Sequence, residues 1–319
     1  MLAKVSIVTP TLGRPQEVRE LLTHLPRQTV LPFEIVVVDA APATDDRTRE
    51  VVAELAAALP FPCRYLRRGG GTAIQRNAGI EASGGDFIAF VDDDIRLEND
   101  YFERMLEAFA DDRERRIGGI VGYTTNQYLD PSTSRRWRWY RRLRLFSTYE
   151  PGRYDYASGY PINRYLQPPH EGLREVDFMT TSNAVWRREV FDEGLRFSEF
   201  FTGYGVLEDA HFALRAGRRW RQIENGRARC VHLRSPRARV DLRRLGWMSA
   251  VNYRYVFVDI VPERTLRQEL RFWRVQLVDL ARFGAVLLRR PDRRHLGLVV
   301  GKIAGMARAL RMVSGEVRP

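Results

Sequence analysis

Three consecutive carboxylates, Asp92, Asp93 and Asp94, follow the apolar run Phe87-Ile88-Ala89-Phe90-Val91. Neighbouring carboxylates repel one another, so a chain that crowds them has either a cation to share or free access to water. Hard oxygen ligands suit Mg2+ or Mn2+, most of all where substrate phosphates complete the shell. The plainer alternative is a solvated acidic turn ahead of a helix, since acids favour helix starts. A second acidic pair, Glu208-Asp209, follows Gly203-Tyr204-Gly205 and opens an apolar helical pattern. It either complements that helix start or supplies a general base toward an incoming hydroxyl. His232 ends the short strand pattern Ala228–His232 and reads as a metal ligand or as a structural histidine.

The elements around these residues decide which readings belong together. Val5–Thr9 is a β-rich run ended by Pro10 and Thr11, and Phe33–Val38 is a nearly continuous apolar strand ended by Asp39. Helical spacing follows each, through Val18 to Leu25 and over about 45–58, and a third strand pattern lies near Arg64–Leu66. Gly69-Gly70-Gly71 then leads into a helical stretch over 75–82 and the strand at Phe87. Strands alternating with helices over about 110 residues argue a parallel, doubly wound sheet, and such sheets bind ligands at the carboxyl ends of their strands. Thr9, Pro10, Thr11, Asp39 and Asp92 to Asp94 all fall at such ends, in outline a nucleotide site. No Gly-Lys-Ser/Thr follows the glycines, so a P-loop is rejected, and they read as a tight turn before a helix.

The chain has 319 residues and a net charge of +12; Lys4 and Lys302 are its only lysines, against fifty arginines. Arginine grips phosphate bidentately, so the charge points to a phosphate-bearing or anionic partner, with an arginine-rich genome as the dull explanation. Two cysteines, Cys63 and Cys230, exclude a disulfide framework and fit a reduced, cytoplasmic setting. The strand pattern starts too early for a signal peptide, and no window offers about 18 uncharged apolar residues. Residues 135–146 are expected to form a basic helix with Trp139, Leu143 and Phe146 on one face and Arg135, Arg138 and Arg142 on another, suited to a membrane interface or packed on the body. Residues 147–170, with five tyrosines, read as a long surface segment. From residue 240 the chain is helical: Leu270, Trp273, Leu277 and Leu280 recur at helical spacing, and Gly297, Gly301 and Gly305 permit close helix packing.

Taken together, these blocks resemble the inverting family 2 glycosyltransferases of the glycosyltransferase A fold, over residues 3–235. Val5–Thr11 is similar to that family's first strand, and Val36-Val37-Val38-Asp39 to its second, whose acid contacts the nucleoside base. Arg76-Asn77-Ala78-Gly79-Ile80 leading to Phe90–Asp94 resembles its most recognisable block. Ser182–Arg188 and Gly203-Tyr204-Gly205 before Glu208-Asp209 resemble its acceptor half.

The resemblance implies a Rossmann-like α/β fold with a mostly parallel central sheet and a C-terminal helical extension. It implies a catalytic domain over 1–240, with a nucleotide-sugar half over 1–120 and an acceptor half over 121–240, and an arginine-rich extension over 241–319. It further implies Asp209 as catalytic base and Asp94 with His232 on Mn2+ or Mg2+. Thr9, Pro10, Thr11, Asp39, Gly71, Asn77, Asp92 and Asp93 are expected around the nucleotide sugar, and Asn183, Trp186, Gly205 and Glu208 beside the donor sugar and acceptor. The implied partners are a nucleoside-diphosphate sugar, a glycan or lipid-linked acceptor and an anionic membrane surface on the cytoplasmic side; nucleic acid is not expected.

Two departures stand out: Ala40-Ala41-Pro42 replaces the polar residues usual after the second strand, and Gly71–Gln75 lacks the usual basic character. A sugar-phosphate nucleotidyltransferase is the rival enzyme, although the Gly-rich basic loop it needs after the first strand is missing. A basic membrane or nucleic-acid adaptor with structural acidic clusters is the non-catalytic alternative.

Overall fold

A computed structural model of the chain describes residues 3–235 and 241–312. The first half alternates as its hydrophobic runs require: β1 (Val5–Thr11), α1 (Pro15–His24), β2 (Glu34–Asp39), α2 (Arg47–Ala56), β3 (Cys63–Arg67), α3 (Thr72–Ala82) and β4 (Phe87–Val91). After the acidic triplet come β5 (Ile95–Leu97), α4 (Tyr101–Ala110), β6 (Ile117–Thr124) and α5 (Arg135–Arg142). A small hairpin, β7 (Tyr154–Asp155) with β8 (Tyr160–Pro161), precedes β9 (Leu173–Val176), β10 (Asn183–Arg187), α6 (Glu189–Asp192), α7 (Glu208–Ala216) and β11 (Arg221–His232). The described residues end with three helices: α8 (Leu242–Ile260), α9 (Leu266–Arg289) and α10 (Arg293–Ala309).

The main sheet runs β3-β2-β1-β4-β10-β6-β11-β5, with β9 also paired to β11. Strands β3, β2, β1 and β4 are mutually parallel, and β6 is parallel to β11, while β10, β5 and β9 run against their neighbours. Most strands therefore point one way, and β10 is the antiparallel wedge between the two halves. Alternation along the central strands sorts side chains to two faces, as the two-residue pleat demands. Ile7, Ile35, Val37, Ala89 and Val91 join a core under α1, α2 and α4. Val8, Val36, Val38, Ile88 and Phe90 join a second core under α3, α7 and α8. Each of these side chains is almost wholly buried; a fully buried Val, Ile or Phe contributes about 1.5–3 kcal/mol.

Two periodicity readings need correction. Helix α5 ends at Arg142, and its buried side chains are Trp137 and Tyr140, not Trp139, which is 60% exposed. Trp137 and Tyr140 win because their rings meet Phe146 and Tyr160 in a separate aromatic cluster that Val275 of α9 closes. On α9 the buried face is Phe272, Val275, Gln276, Asp279 and Phe283, whereas Leu270 and Leu277 of the expected stripe point outward. The glycines of α10 do pack closely: a Cβ on Gly301 would lie 1.9 Å from the Arg243 carbonyl, and one on Gly305 2.5 Å from that of Trp247. Residue 313, within the expected last helical stretch, lies outside the described residues. No helix among the described residues is long and apolar enough to cross a membrane.

Helix α8 braces the loop before α7. Arg244 donates to the Thr202 carbonyl at 3.0 Å, Asn252 to that of Val206 at 2.8 Å, and His211 Nε2 lies 3.0 Å from Asp259.

Candidate active site

Parallel pairing sets Thr11 beside Asp39, and β4 ends in the same direction one strand away. Gln75 of α3 ties two of these ends, donating to the carbonyls of Thr11 at 2.7 Å and Val38 at 2.6 Å. Thr9 and Pro10 are buried within the strand end, and Thr11 reaches the acids, donating to Asp93 Oδ2 at 2.6 Å. Asp39 is fully buried. Its Oδ1 accepts the backbone N–H groups of Gly13 and Ala41, both at 2.9 Å, and its Oδ2 accepts the Tyr65 hydroxyl at 3.2 Å. This carboxylate shapes the two loops after β1 and β2, and the Ala40-Ala41 departure is part of that arrangement.

The three acids of the triplet have different surroundings. Asp93 is buried and accepts Arg14 Nη1 at 2.6 Å; burial pushes its carboxyl up to about 7, with Arg14 and Thr11 pulling the other way. Asp94 lies against His232 Nε2 at 3.1 Å, Arg14 Nη2 at 3.3 Å and the Ser235 N–H at 3.1 Å. Burial would raise its pKa, yet His232 and Arg14 hold it down to about 2. His232 reaches this place because β11 pairs antiparallel with β5, His232 opposite Ile95. Burial pushes the imidazole down, but Asp94 outweighs it and the pKa is raised. The other ring nitrogen is 2.5 Å from Gln127 Nε2. Asp92 is part-exposed and accepts Arg76 Nη2 at 3.2 Å.

Arg76 joins the two halves of the site. Its Nη1 donates to Glu208 Oε1 at 2.6 Å while Nη2 holds Asp92, and Thr72 hydrogen-bonds the second Glu208 oxygen. Glu208 is therefore buried among protein partners at the start of α7, with its pKa raised by burial against the pull of Arg76. Asp209, next along, is half-buried; its Oδ1 accepts the Ala210 N–H at 2.8 Å. Burial raises its pKa, Arg76 opposes, and Asp92 adds to the rise. The Tyr204 phenol lies within electrostatic reach of Asp209, Asp92 and Asp94 together. The acidic tips near 94 and 209 thus share one polar region, 115 residues apart in sequence.

Other expected residues support this region from behind. Gly71, at φ +125°, presses on Gly203: a Cβ there would lie 2.3 Å from the Gly203 nitrogen, and the Gly203 N–H donates to the Gly70 carbonyl at 3.1 Å. Gly205 packs beside the Glu208 carboxylate. Asn77 spends both ends of its amide on the Phe197 backbone, at 2.9 Å each. Asn183 and Trp186 are fully buried. The Asn183 amide donates to the Gly122 carbonyl and Cys230 Sγ, and the Trp186 ring meets Phe212 edge-on at 4.9 Å. Both side chains are thus engaged with protein partners. Arg14, Arg76, Tyr204 and Gln127 are the site residues that sequence reasoning missed. Arg76, beside Asn77, and Tyr204, between Gly203 and Gly205, lay inside recognised blocks and had a signal that could have found them; Arg14 and Gln127 had none.

A divalent cation fits these residues as a two-ligand site. Asp94 and His232 already face one another, and Mg2+ or Mn2+ commonly takes one or two protein ligands plus substrate phosphates and water. No cluster of three or more such ligands occurs among the described residues.

Sheet order, the antiparallel wedge and acids at the strand ends define a mostly parallel α/β fold, and the model for glycosyl transferase family 2 matches residues 6–195. The chain belongs to that family. It is 31% identical over 168 residues to the uncharacterized glycosyltransferase YwdF of Bacillus subtilis (strain 168), covering 51% of this chain and 59% of that one. It is 29% identical over 214 residues to the uncharacterized glycosyltransferase EpsJ of the same organism, covering 62% of this chain and 54% of the relative. The chain thus spans between half and three-fifths of the length of these curated relatives. Among solved structures, the mannosyltransferase PcManGT from Pyrobaculum calidifontis, in complex with GDP-Man and Mn2+, superposes with TM-score 0.59 at 16% identity, covering 97% of this chain and 87% of that one. GalNAc-T7 with UDP, GalNAc and Mn2+ gives TM-score 0.61 at 13% identity, over 86% and 51% of the two chains. These likenesses establish the glycosyltransferase A fold.

Proposed function

We propose that the chain is a metal-dependent, inverting glycosyltransferase that moves a sugar from a nucleoside-diphosphate sugar to a hydroxyl of a glycan or lipid-linked acceptor. The observation that carries this reading is the joining of Asp92 to the Glu208-Asp209 helix start by Arg76, with Asp94 and His232 alongside. Family membership favours it over a sugar-phosphate nucleotidyltransferase or a non-catalytic adaptor, and it is supported by structural neighbours solved with GDP-Man and Mn2+ or with UDP, GalNAc and Mn2+. Residues 1–240 would form the catalytic domain, and 241–319 an extension that braces its acceptor half through α8.

Asp94 and His232 would hold Mn2+ or Mg2+, which when bound offsets charge on the leaving diphosphate as a Lewis acid. Asp92 and Asp93 stand beside the ribose and donor sugar. Asp209 accepts the proton of the acceptor hydroxyl as that oxygen attacks the anomeric carbon from the face opposite the diphosphate. Its raised pKa brings it nearer neutral pH, where a general base works best. The chain would act at the cytoplasmic face of a membrane as a peripheral protein.

Calorimetry with UDP and GDP, with and without Mn2+, tests the donor site, and Asp209→Asn tests the base. The variant should keep wild-type, Mn2+-dependent nucleotide affinity while turnover falls about 10²- to 10⁴-fold. Nucleotide binding indifferent to Mn2+, or turnover preserved in the variant, refutes the reading.

A further inference from the structure

The segment after β6 leads from the acidic region to an open pocket of about 200 Å3. Asn126 and the His232 backbone exchange two hydrogen bonds, at 2.8 and 3.1 Å, and Gln127 holds the His232 ring. The next residue, Tyr128, already lines the pocket, about 3.8 Å along the chain. Trp137 of α5 and Tyr149 supply two more aromatic walls, and Asp130 and Arg141 the charged rim. On the far side, the Leu129 N–H donates to the Tyr165 carbonyl at 2.8 Å, and Tyr165 lies within electrostatic reach of Tyr204. The pocket is thus joined to the region around Asp94 and Asp209 through two segments, 126–128 and 165–166.

Its chemistry is selective. Typical cofactor pockets enclose ~300–1,000 Å3, so this one has room for a single ring. The Tyr149 hydroxyl is pinned to the Tyr140 carbonyl at 2.6 Å, and the Arg141 guanidinium lies 5.5 Å from the Tyr149 ring centroid. The Arg141 guanidinium has no hydrogen-bond partner among the described residues. Asp130 uses Oδ1 on Ser132, at 2.8 and 2.7 Å, and its Oδ2 has no partner among them. Aromatic faces with a spare donor and a spare acceptor at the rim match a neutral ring with apolar C–H faces and hydroxyl edges. A phosphate would have to approach the Asp130 carboxylate.

We propose that this pocket is a second acceptor subsite, holding one neutral sugar ring of a glycan chain whose terminal hydroxyl reaches Asp209. The proposal rests on the glycosyltransferase reading and names the acceptor class: an extended, uncharged glycan rather than a lone monosaccharide or a lipid phosphate.

Ligand-observed NMR with a panel of neutral linear tetrasaccharides, built from glucose, mannose, galactose or N-acetylglucosamine, measures binding to wild type, Tyr128→Ala and Arg141→Gln. Tyr128 and Arg141 are exposed, so both variants should fold, and Tm checks this. At least one tetrasaccharide should bind, its own monosaccharide more weakly, and each variant should lose roughly threefold or more in affinity. Tyr128→Phe should restore it. Failure of every tetrasaccharide to bind, affinity equal in the variants, or preferential capture of geranyl phosphate by the same residues would overturn the subsite. Mn2+-dependent UDP or GDP binding, measured in parallel, separates the two proposals: its loss refutes the transferase, its persistence without tetrasaccharide binding the subsite alone.

Discussion

Arg76 shows what a linear chain conceals. Its two carboxylate partners lie 16 and 132 residues away, and the block it shares with Asn77 marks its position without saying which acids it joins. The strand-ending acids were legible because an apolar run stopping at a carboxylate has one natural placement in a buried parallel sheet. Asn183 and Trp186 lay in a matching block, but a block cannot say which side chains alternate inward, and both face the core. Arg76 also sets the charge state of the proposed base. Burial raises the Asp209 pKa and Arg76 opposes that rise. A general base works deprotonated, so activity falls as pH drops through its pKa. Arg76→Met should raise that pKa further and shift the acid limb of the pH–rate profile to higher pH, by about one unit or more. Arg76→Lys should return the limb most of the way. Stranding buried Glu208 costs about 3–5 kcal/mol, so thermal unfolding will fall as well; the limb is the readout a merely structural arginine would leave unmoved.

Helices α8 and α10 test spacing arguments at the scale of elements. The glycines at 297, 301 and 305 signalled close packing, yet not against what; the partner proves to be α8. The contact is graded along the helix. A Cβ on Gly297 would meet Arg243 Cβ at an ordinary 3.4 Å, whereas one on Gly301 would lie 1.9 Å from the Arg243 carbonyl oxygen. Gly297→Ala should therefore gain the helix-propensity difference, about 0.5–1 kcal/mol. Gly301→Ala must push two backbones apart and should lose about 1–3 kcal/mol, both read from urea midpoints at constant slope. Equal effects of the same sign would show that the helices do not meet there. The stripe on α9 failed for the complementary reason: periodicity finds an apolar face without saying whether protein covers it. Polar Gln276 and Asp279 displaced it from the interior because Gln276 accepts the buried Lys302 ammonium at 2.6 Å and Asp279 accepts the Tyr140 hydroxyl.

That inversion leaves large aliphatic side chains exposed on both α9 and α10. Leu266, Leu270, Leu277 and Leu288 of α9, Leu296, Val300 and Ile303 of α10, and Leu310 just after it are all more than 40% exposed. The acids of this region are engaged inside it: Glu269 with Arg254 and Arg264, Asp279 with Tyr140 and Arg282, Asp292 capping α10 and holding His295. The guanidinium groups of Arg267, Arg271, Arg274, Arg289, Arg290, Arg293, Arg294, Arg308 and Arg311 have no carboxylate partner among the described residues. Aliphatic side chains fringed by unpaired arginines suit an anionic lipid surface, and the same charge would repel a second copy of the chain. The proposed peripheral association follows from this face. Flotation with phosphatidylserine vesicles at low salt should carry the protein up, neutral vesicles should carry much less, and raising the salt should weaken the first because the Debye length contracts. Replacing both Leu270 and Leu277 by Glu removes about 1.5–3 kcal/mol of burial at each position and should weaken vesicle binding tenfold or more. Nucleotide affinity should stay unchanged, because the candidate site draws on no residue of α9. Flotation of that variant equal to wild type would leave the exposed leucines without a role at a membrane.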